Sequence, residues 1–211
     1  ITERKEKVAV DGSAQAGLTV AYYLRLTGYK HPVFEALEVL GGRLRVGIAD
    51  NRLPSDALVL LVGPSGAGKS TWAAQRVAAH EILSSAAVRE LVAGDAADQA
   101  ATADAFKVLD TVARARLRRG LLTVVDATNL TERARRSLLR LARRADRPVV
   151  AVAFDLSLER CLAQNAARPE RRVPEDVVRR HQAQLQRALA QLPDEGYAMI
   201  EVITDEDMPS D

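Results

Sequence analysis

The chain has 211 residues, 47% hydrophobic and 27% charged, with a formal net charge of +2. That composition excludes an intrinsically disordered chain and suffices for one large core or two small ones. The single Cys161 excludes an intrachain disulfide and a thiolate metal cluster, and no apolar run approaches the ~20 residues of a membrane span, so the chain reads as a cytoplasmic protein without membrane association.

No leader-like start is visible, and because the first residue is Ile1 a preceding segment has room to exist. From Val8 the chain runs as a short strand, a turn at Gly12-Ser13, a helix through Ala21-Tyr22-Tyr23-Leu24 and a second strand over Pro32-Val33-Phe34-Glu35. Glu35 stands about 20 residues past the glycines, where a dinucleotide fold places an acid on a ribose hydroxyl. Together with Ala16-Gly17-Leu18-Thr19, Gly41-Gly42 and Leu44-Arg45-Val46-Gly47-Ile48, these residues resemble the FAD-binding start of the glutamate synthase small subunit and related flavin oxidoreductases. The likeness fades after Arg52-Leu53-Pro54, before the strands that would enclose the adenine and the flavin. Ala14 replaces the glycine that lets backbone approach a pyrophosphate, and Asp11 turns a carboxylate toward it, so FAD is not expected. The expectation is an incomplete Rossmann-like β-α-β segment over residues 1–52.

A polar stretch from Ala49 to Asp56, carrying Pro54, marks the boundary, and residues 53–211 form the second expected domain. The apolar run Ala57 to Val62 leads into Gly63-Pro64-Ser65-Gly66-Ala67-Gly68-Lys69-Ser70, followed by Thr71-Trp72-Ala73-Ala74. Between a strand pattern and a helix pattern, G-x-x-x-x-G-K-[ST] is a phosphate loop. Its glycines let successive N–H groups turn inward, and the helix adds its positive N-terminal end. Gly63, Ser65, Gly66, Ala67, Gly68, Lys69, Ser70 and Thr71 are therefore expected to bind ATP, with Lys69 on the β- and γ-phosphates and Ser70 on Mg²⁺.

The helix is expected to run to Ala79 and to be followed by a strand over Glu81 to Ser85, a helical turn or two over Val88 to Val92 and a polar loop to Gln99. A long helix fits Ala100 to Arg119, closed by Gly120. Leu121 to Asp126 is a buried parallel strand whose terminal carboxylate reaches the Mg²⁺ shell; a strand-end aspartate also caps helices, but with the loop upstream the metal role is expected. There follow a helix over Thr131 to Arg144, a strand over Pro148 to Phe154 and a helix over Ser157 to Ala167 capped by Ser157. Next come the basic segment Arg168 to Pro174, a helix over Glu175 to Leu192 and a strand over Ala198 to Ile203. Strands alternating with helices in this way make an α/β fold, a doubly wound parallel sheet of P-loop kinase type.

Ser84-Ser85, Arg89, Asp98-Gln99, Arg116-Leu117, Val124-Val125-Asp126-Ala127-Thr128-Asn129, Asn165, Arg168, Arg171 and Glu195-Gly196-Tyr197 carry a second likeness. Joined to the phosphate loop, they resemble the kinase module of bacterial polynucleotide kinase-phosphatases from Leu58 to about Ile203. The resemblance implies transfer of the ATP γ-phosphate to the 5′-hydroxyl of a nucleic acid strand, with room for a covalent continuation past Asp211 into a phosphatase domain. It also implies catalytic roles for Lys69, Arg89 on the acceptor side, and Arg168 and Arg171 over the γ-phosphate. A surface salt bridge for Arg89 and a solvated basic turn for the other two arginines are the alternatives. Ala86 stands where the family carries the aspartate that takes the proton of the attacking hydroxyl. Catalysis is therefore expected to be impaired, and an ATP-binding switch without transfer is the rival reading, ahead of a flavin oxidoreductase fragment. The arginines of the 131–144 helix, Arg135 among them, read as a solvated face. His31, His80 and His181 show no metal-ligand spacing and read as surface or packing residues.

Overall fold

The computed structural model describes residues 53–168 and 172–208 in full and, before them, the backbone of Val10–Asp11 and Val33–Phe34. The chain divides into two compact units, Ile1–Gly47 and Ile48–Asp211. In the first, β1 (Val10–Asp11) and β2 (Val33–Phe34) pair in parallel, with Val10 opposite Val33 and Asp11 opposite Phe34. The expected helix through Ala21 to Leu24, and the positions Ala14 and Glu35, lie outside the described residues.

The second unit is a five-stranded, all-parallel sheet. Its strands are β3 (Leu58–Val62), β4 (Ile82–Ser84), β5 (Thr123–Asp126), β6 (Val149–Asp155) and β7 (Met199–Thr204), in the spatial order β4-β5-β3-β6-β7. Between them lie α1 (Lys69–Arg76), α2 (Ser85–Ala93), α3 (Thr102–Arg118), α4 (Glu132–Arg144), α5 (Leu158–Ala166) and α6 (Glu175–Gln191). Parallel neighbours need crossovers, and helices placed by crossovers bury both faces of the sheet, which is why β3 reads as unbroken Leu-Val-Leu-Leu-Val and is buried throughout. Period-two alternation then splits the core. Leu58, Leu60 and Val62 pack with Leu109 and Leu117 of α3, Leu138 and Leu139 of α4 and Leu185 of α6. Val59 and Leu61 pack on the other face with Trp72 and Ala73 of α1 and Cys161 of α5. Each fully buried Leu or Val side chain contributes about 1.5–3 kcal/mol, so these two layers dominate the stability.

Several element ends differ from the sequence expectation for local reasons. α1 stops at Arg76 because Val77 is extended, and the Glu81 side chain accepts the Ala78 N–H at 2.9 Å to cap a short 3-10 turn over Ala79–Glu81. α2 is longer than the one or two turns expected, held between Ser84, whose hydroxyl accepts the Ala87 N–H, and a left-handed Gly94. Gly120 is left-handed just past α3, and Ser157 accepts the Arg160 N–H at the start of α5. Among the described residues no helix is long and apolar enough to cross a membrane.

Candidate functional site

The carboxyl ends of β3, β5 and β6 converge where the strand order reverses, the usual crevice of an open α/β sheet. β3 ends at Val62, and residues 63–68 make the turn into α1, whose first residue is Lys69. Gly66 has φ +83 and a side chain there would meet the Cys161 carbonyl at 2.2 Å, so only glycine fits between the loop and α5. Gly68, at φ +75, is the left-handed residue that opens α1. The Gly63 N–H donates to Thr128 O at 3.0 Å, tying the loop to the connection after β5.

β5 lies beside β3, with Leu60 opposite Val125, so its last residue, Asp126, arrives next to the loop. Ser70, in the first turn of α1, donates its hydroxyl to Asp126 Oδ2 at 2.7 Å. A hydroxyl and a carboxylate in contact at the mouth of a phosphate loop are a pair of hard oxygen ligands suited to Mg²⁺. Ser84, the last residue of β4, pairs opposite Asp126 and starts α2, so α2, carrying Ala86 and Arg89, springs from the Asp126 side of the crevice.

Lys69 is 8% exposed. Its ammonium donates to Gly63 O at 3.0 Å and Pro64 O at 2.6 Å. Burial pulls its pKa down to about 8, with Asp126 opposing that shift and Arg168 reinforcing it. Arg168, after the end of α5, is therefore within electrostatic reach of Lys69. The basic segment that it begins is closed at its base by Asn165, whose amide donates to Val173 O at 2.7 Å and accepts the Val173 N–H at 3.1 Å. Arg171 lies outside the described residues. Arg89 is half-buried and donates Nε to Ala96 O at 2.8 Å, tying α2 to the following loop. Thr71 is exposed on the first turn of α1, and Ala67 is buried beneath the loop. The structure thus brings together Gly63 to Ser70, Asp126 and Arg168, and sets Arg89 on the neighbouring helix.

Three arrangements escaped the sequence reading. Asn129, buried and left-handed at φ 47, donates its amide to Leu61 O at 2.8 Å and so clamps β3 to the end of β5. Arg133, Arg136, Arg140, Arg143 and Arg144 are exposed as expected of a solvated α4, but Arg135 departs from that expectation: it is 0% exposed and donates to both carboxylate oxygens of Glu195 at 2.8 and 2.5 Å. It also donates to the carbonyls of Asn129 and Leu130 and to Gln191 Oε1. His181, expected to be an ordinary surface or packing residue, sits with Nδ1 3.4 Å from the Ser65 hydroxyl of the phosphate loop. No motif signals it, because it comes from a helix more than a hundred residues downstream.

A family model described as AAA domain matches residues 58–192. Among solved structures, the chain is similar to one in the Pnkp1/Rnl/Hen1 RNA repair complex, with a TM-score of 0.58 and 22% identity over 67% of this chain and 48% of that one. It is also similar to a provisionally assigned kinase from Chloroflexus aurantiacus, with a TM-score of 0.54 and 16% identity over 74% of this chain and 92% of that one. At these identities the likeness shows the fold, an α/β domain of P-loop kinase type. A stretch of 53 residues is 55% identical to the NADP(+)-dependent formate dehydrogenase subunit beta of Moorella thermoacetica, covering 25% of this chain and 8% of that subunit. A 58-residue match to the NADPH-Fe(3+) oxidoreductase subunit beta of Geobacter sulfurreducens is 43% identical and covers 9% of that protein.

Proposed function

This chain belongs to the AAA domain family, and from that premise we propose that it is an ATP-dependent P-loop kinase of the polynucleotide 5′-hydroxyl type. The observation that carries the proposal is the bond from Ser70, in the first turn of α1, to Asp126, at the end of β5, beside a buried Lys69. Phosphoryl transfer asks a protein mainly for positioning and positive charge around the transferring group. The loop N–H groups and Lys69 would hold the phosphate chain of ATP, and Ser70 and Asp126 would hold Mg²⁺. Mg²⁺ supplies neutralisation of charge on the phosphate oxygens. Arg168, already near Lys69, adds a cation on the side of the basic segment, Arg171 is proposed to join it, and Arg89 is proposed to steady the acceptor. The acceptor proposed is a nucleic acid 5′-hydroxyl end, in keeping with the RNA repair complex among the fold's neighbours.

Ala86 favours a second reading. In the first turn of α2 it offers no carboxylate to take the hydroxyl proton, and loss of a general base slows transfer by about 10²- to 10⁴-fold. The protein would then be an ATP-binding switch that transfers slowly or not at all. Both readings require the same nucleotide site, which a calorimetric titration tests. MgATP should saturate one site on the parent protein and bind Lys69→Met at least about tenfold more weakly, a difference of about 1.4 kcal/mol. Equal affinities in the two proteins would remove the site from the phosphate loop.

A further inference from the structure

α6 does not stay on one face of the sheet. Val178, near its start, packs in the cluster with α1 and α5, whereas Leu185 and Ala188 pack in the opposite cluster with α3 and α4. The helix therefore passes the carboxyl end of β6, where Gln182 donates to Leu156 O at 2.9 Å and Gln186 to Asp155 at 3.1 Å. His181 lies in that passage, half-buried, with Nδ1 3.4 Å from the Ser65 hydroxyl. Ser65 is the third residue of the loop whose N–H groups converge on phosphate.

We propose that His181 belongs to the triphosphate site: its imidazole steadies Ser65 in the nucleotide-free protein and takes up a proton when the phosphate chain arrives, becoming a further cation beside Lys69. This rests on the reading of the loop as an ATP site. Burial first, and then the charges of Lys69 and Arg180, hold the pKa of the ring below the ordinary histidine value. The other ionisable groups on the surrounding elements do not offset them. Asp176 is paired with Arg180 at 3.0 Å, Asp155 accepts from Gln186, and the Cys161 thiol, pushed up to about 11 by burial, stays neutral. A neutral ring accepts the Ser65 hydroxyl proton at Nδ1 and keeps its own hydrogen on Nε2. A polyanion in the loop reverses the local sign. One proton then passes from solvent to Nδ1, the imidazolium donates to Ser65 Oγ, and the Ser65 hydrogen turns to a phosphate oxygen.

The chain has 3 histidines, so their ring resonances can be followed together by ¹H–¹³C NMR and His181 assigned through His181→Asn. If that variant fails to fold, His31→Gln and His80→Gln assign it by elimination. The probe is the β,γ-imido analogue of ATP with Mg²⁺, its saturation checked by calorimetry. The expected result is a His181 midpoint that rises by about one pH unit or more on saturation, while the His80 midpoint stays in place. In parallel, parent affinity should fall about threefold or more beyond that of His181→Asn between pH 6 and pH 8, because a group protonated in the complex favours binding below its bound-state pKa and loses that advantage above it. An unmoved His181 midpoint in a protein that the analogue saturates overturns the inference and leaves the ATP site standing. Failure of the analogue to bind overturns the ATP reading first, and this inference with it.

Discussion

Lys69 is held where its charge is least favoured. The unfolded chain keeps that charge in water with a pKa near 10.5, while the folded site has lowered it to about 8. Between those values the unfolded state binds more protons, so stability rises with pH across that window, and below it the buried ammonium lowers stability by its full amount. Lys69→Met should therefore be more stable than the parent at pH 7, by roughly 1–3 kcal/mol, with the gap closing as pH climbs from 8 toward 10.5. Urea unfolding at a series of pH values measures this, and a variant less stable than the parent at pH 7 would show that the two carbonyl bonds outweigh burial. The placing of Lys69, Ser70 and Asp126 at one crevice was legible in the sequence because each is set by its own neighbours: a glycine loop, a helix start and the end of an apolar strand. His181 and Arg135 were not. Their surroundings come from Ser65 and Glu195, distant in the chain, and only the folded topology puts them in contact.

At the scale of elements, strands were the easier reading, since a parallel strand buried on both faces is an apolar run bounded by polar residues. Helix ends were harder because side-chain caps decide them. The Glu81 carboxylate at Ala78 and the Ser84 hydroxyl at Ala87 moved the ends of the short 3-10 turn and α2 away from what periodicity alone suggests. α4 illustrates a deeper limit. Its arginine-rich sequence reads as solvated, yet Arg135 points inward and joins α4, the connection after β5, the end of α6 and Glu195 in one hydrogen-bonded cluster that Tyr197 completes at 3.1 Å. Because Asn129 belongs to the same cluster and also clamps β3, the packing of α4 reaches the loop. Arg135→Met leaves Glu195 largely buried without its partner and should cost about 3–5 kcal/mol, whereas the double variant Arg135→Met with Glu195→Met should regain much of that loss. Urea denaturation of the three proteins decides it. A single variant within about 1 kcal/mol of the parent would return Arg135 to the surface role that the sequence suggested.

For the whole molecule, the alternation of strands and helices was enough to expect the doubly wound sheet, and the spatial order β4-β5-β3-β6-β7 puts the loop strand between its two working neighbours. What sequence alone did not resolve is how the two units share the work. We propose that Ile48–Asp211 folds and binds ATP by itself, because among the described residues both core layers are built from its strands and helices. Removing residues 1–47 should leave MgATP affinity within about threefold, less than 1 kcal/mol, and its complete loss would mean that both units make one site or one core. The central claim, γ-phosphate transfer to a 5′-hydroxyl, turns on the helix that starts beside Asp126. On the proposed reading, an aspartate in the first turn of α2 would supply the carboxylate that Ala86 does not offer to an acceptor hydroxyl. The direct measurement is transfer of labelled γ-phosphate from ATP to 5′-hydroxyl DNA and RNA oligonucleotides by the parent protein and by Ala86→Asp. The account predicts slow transfer by the parent and an increase in turnover of about 10²-fold or more in Ala86→Asp, with ATP affinity nearly unchanged. Two proteins that bind MgATP equally and label neither oligonucleotide would contradict the kinase reading and leave a nucleotide-binding switch in its place.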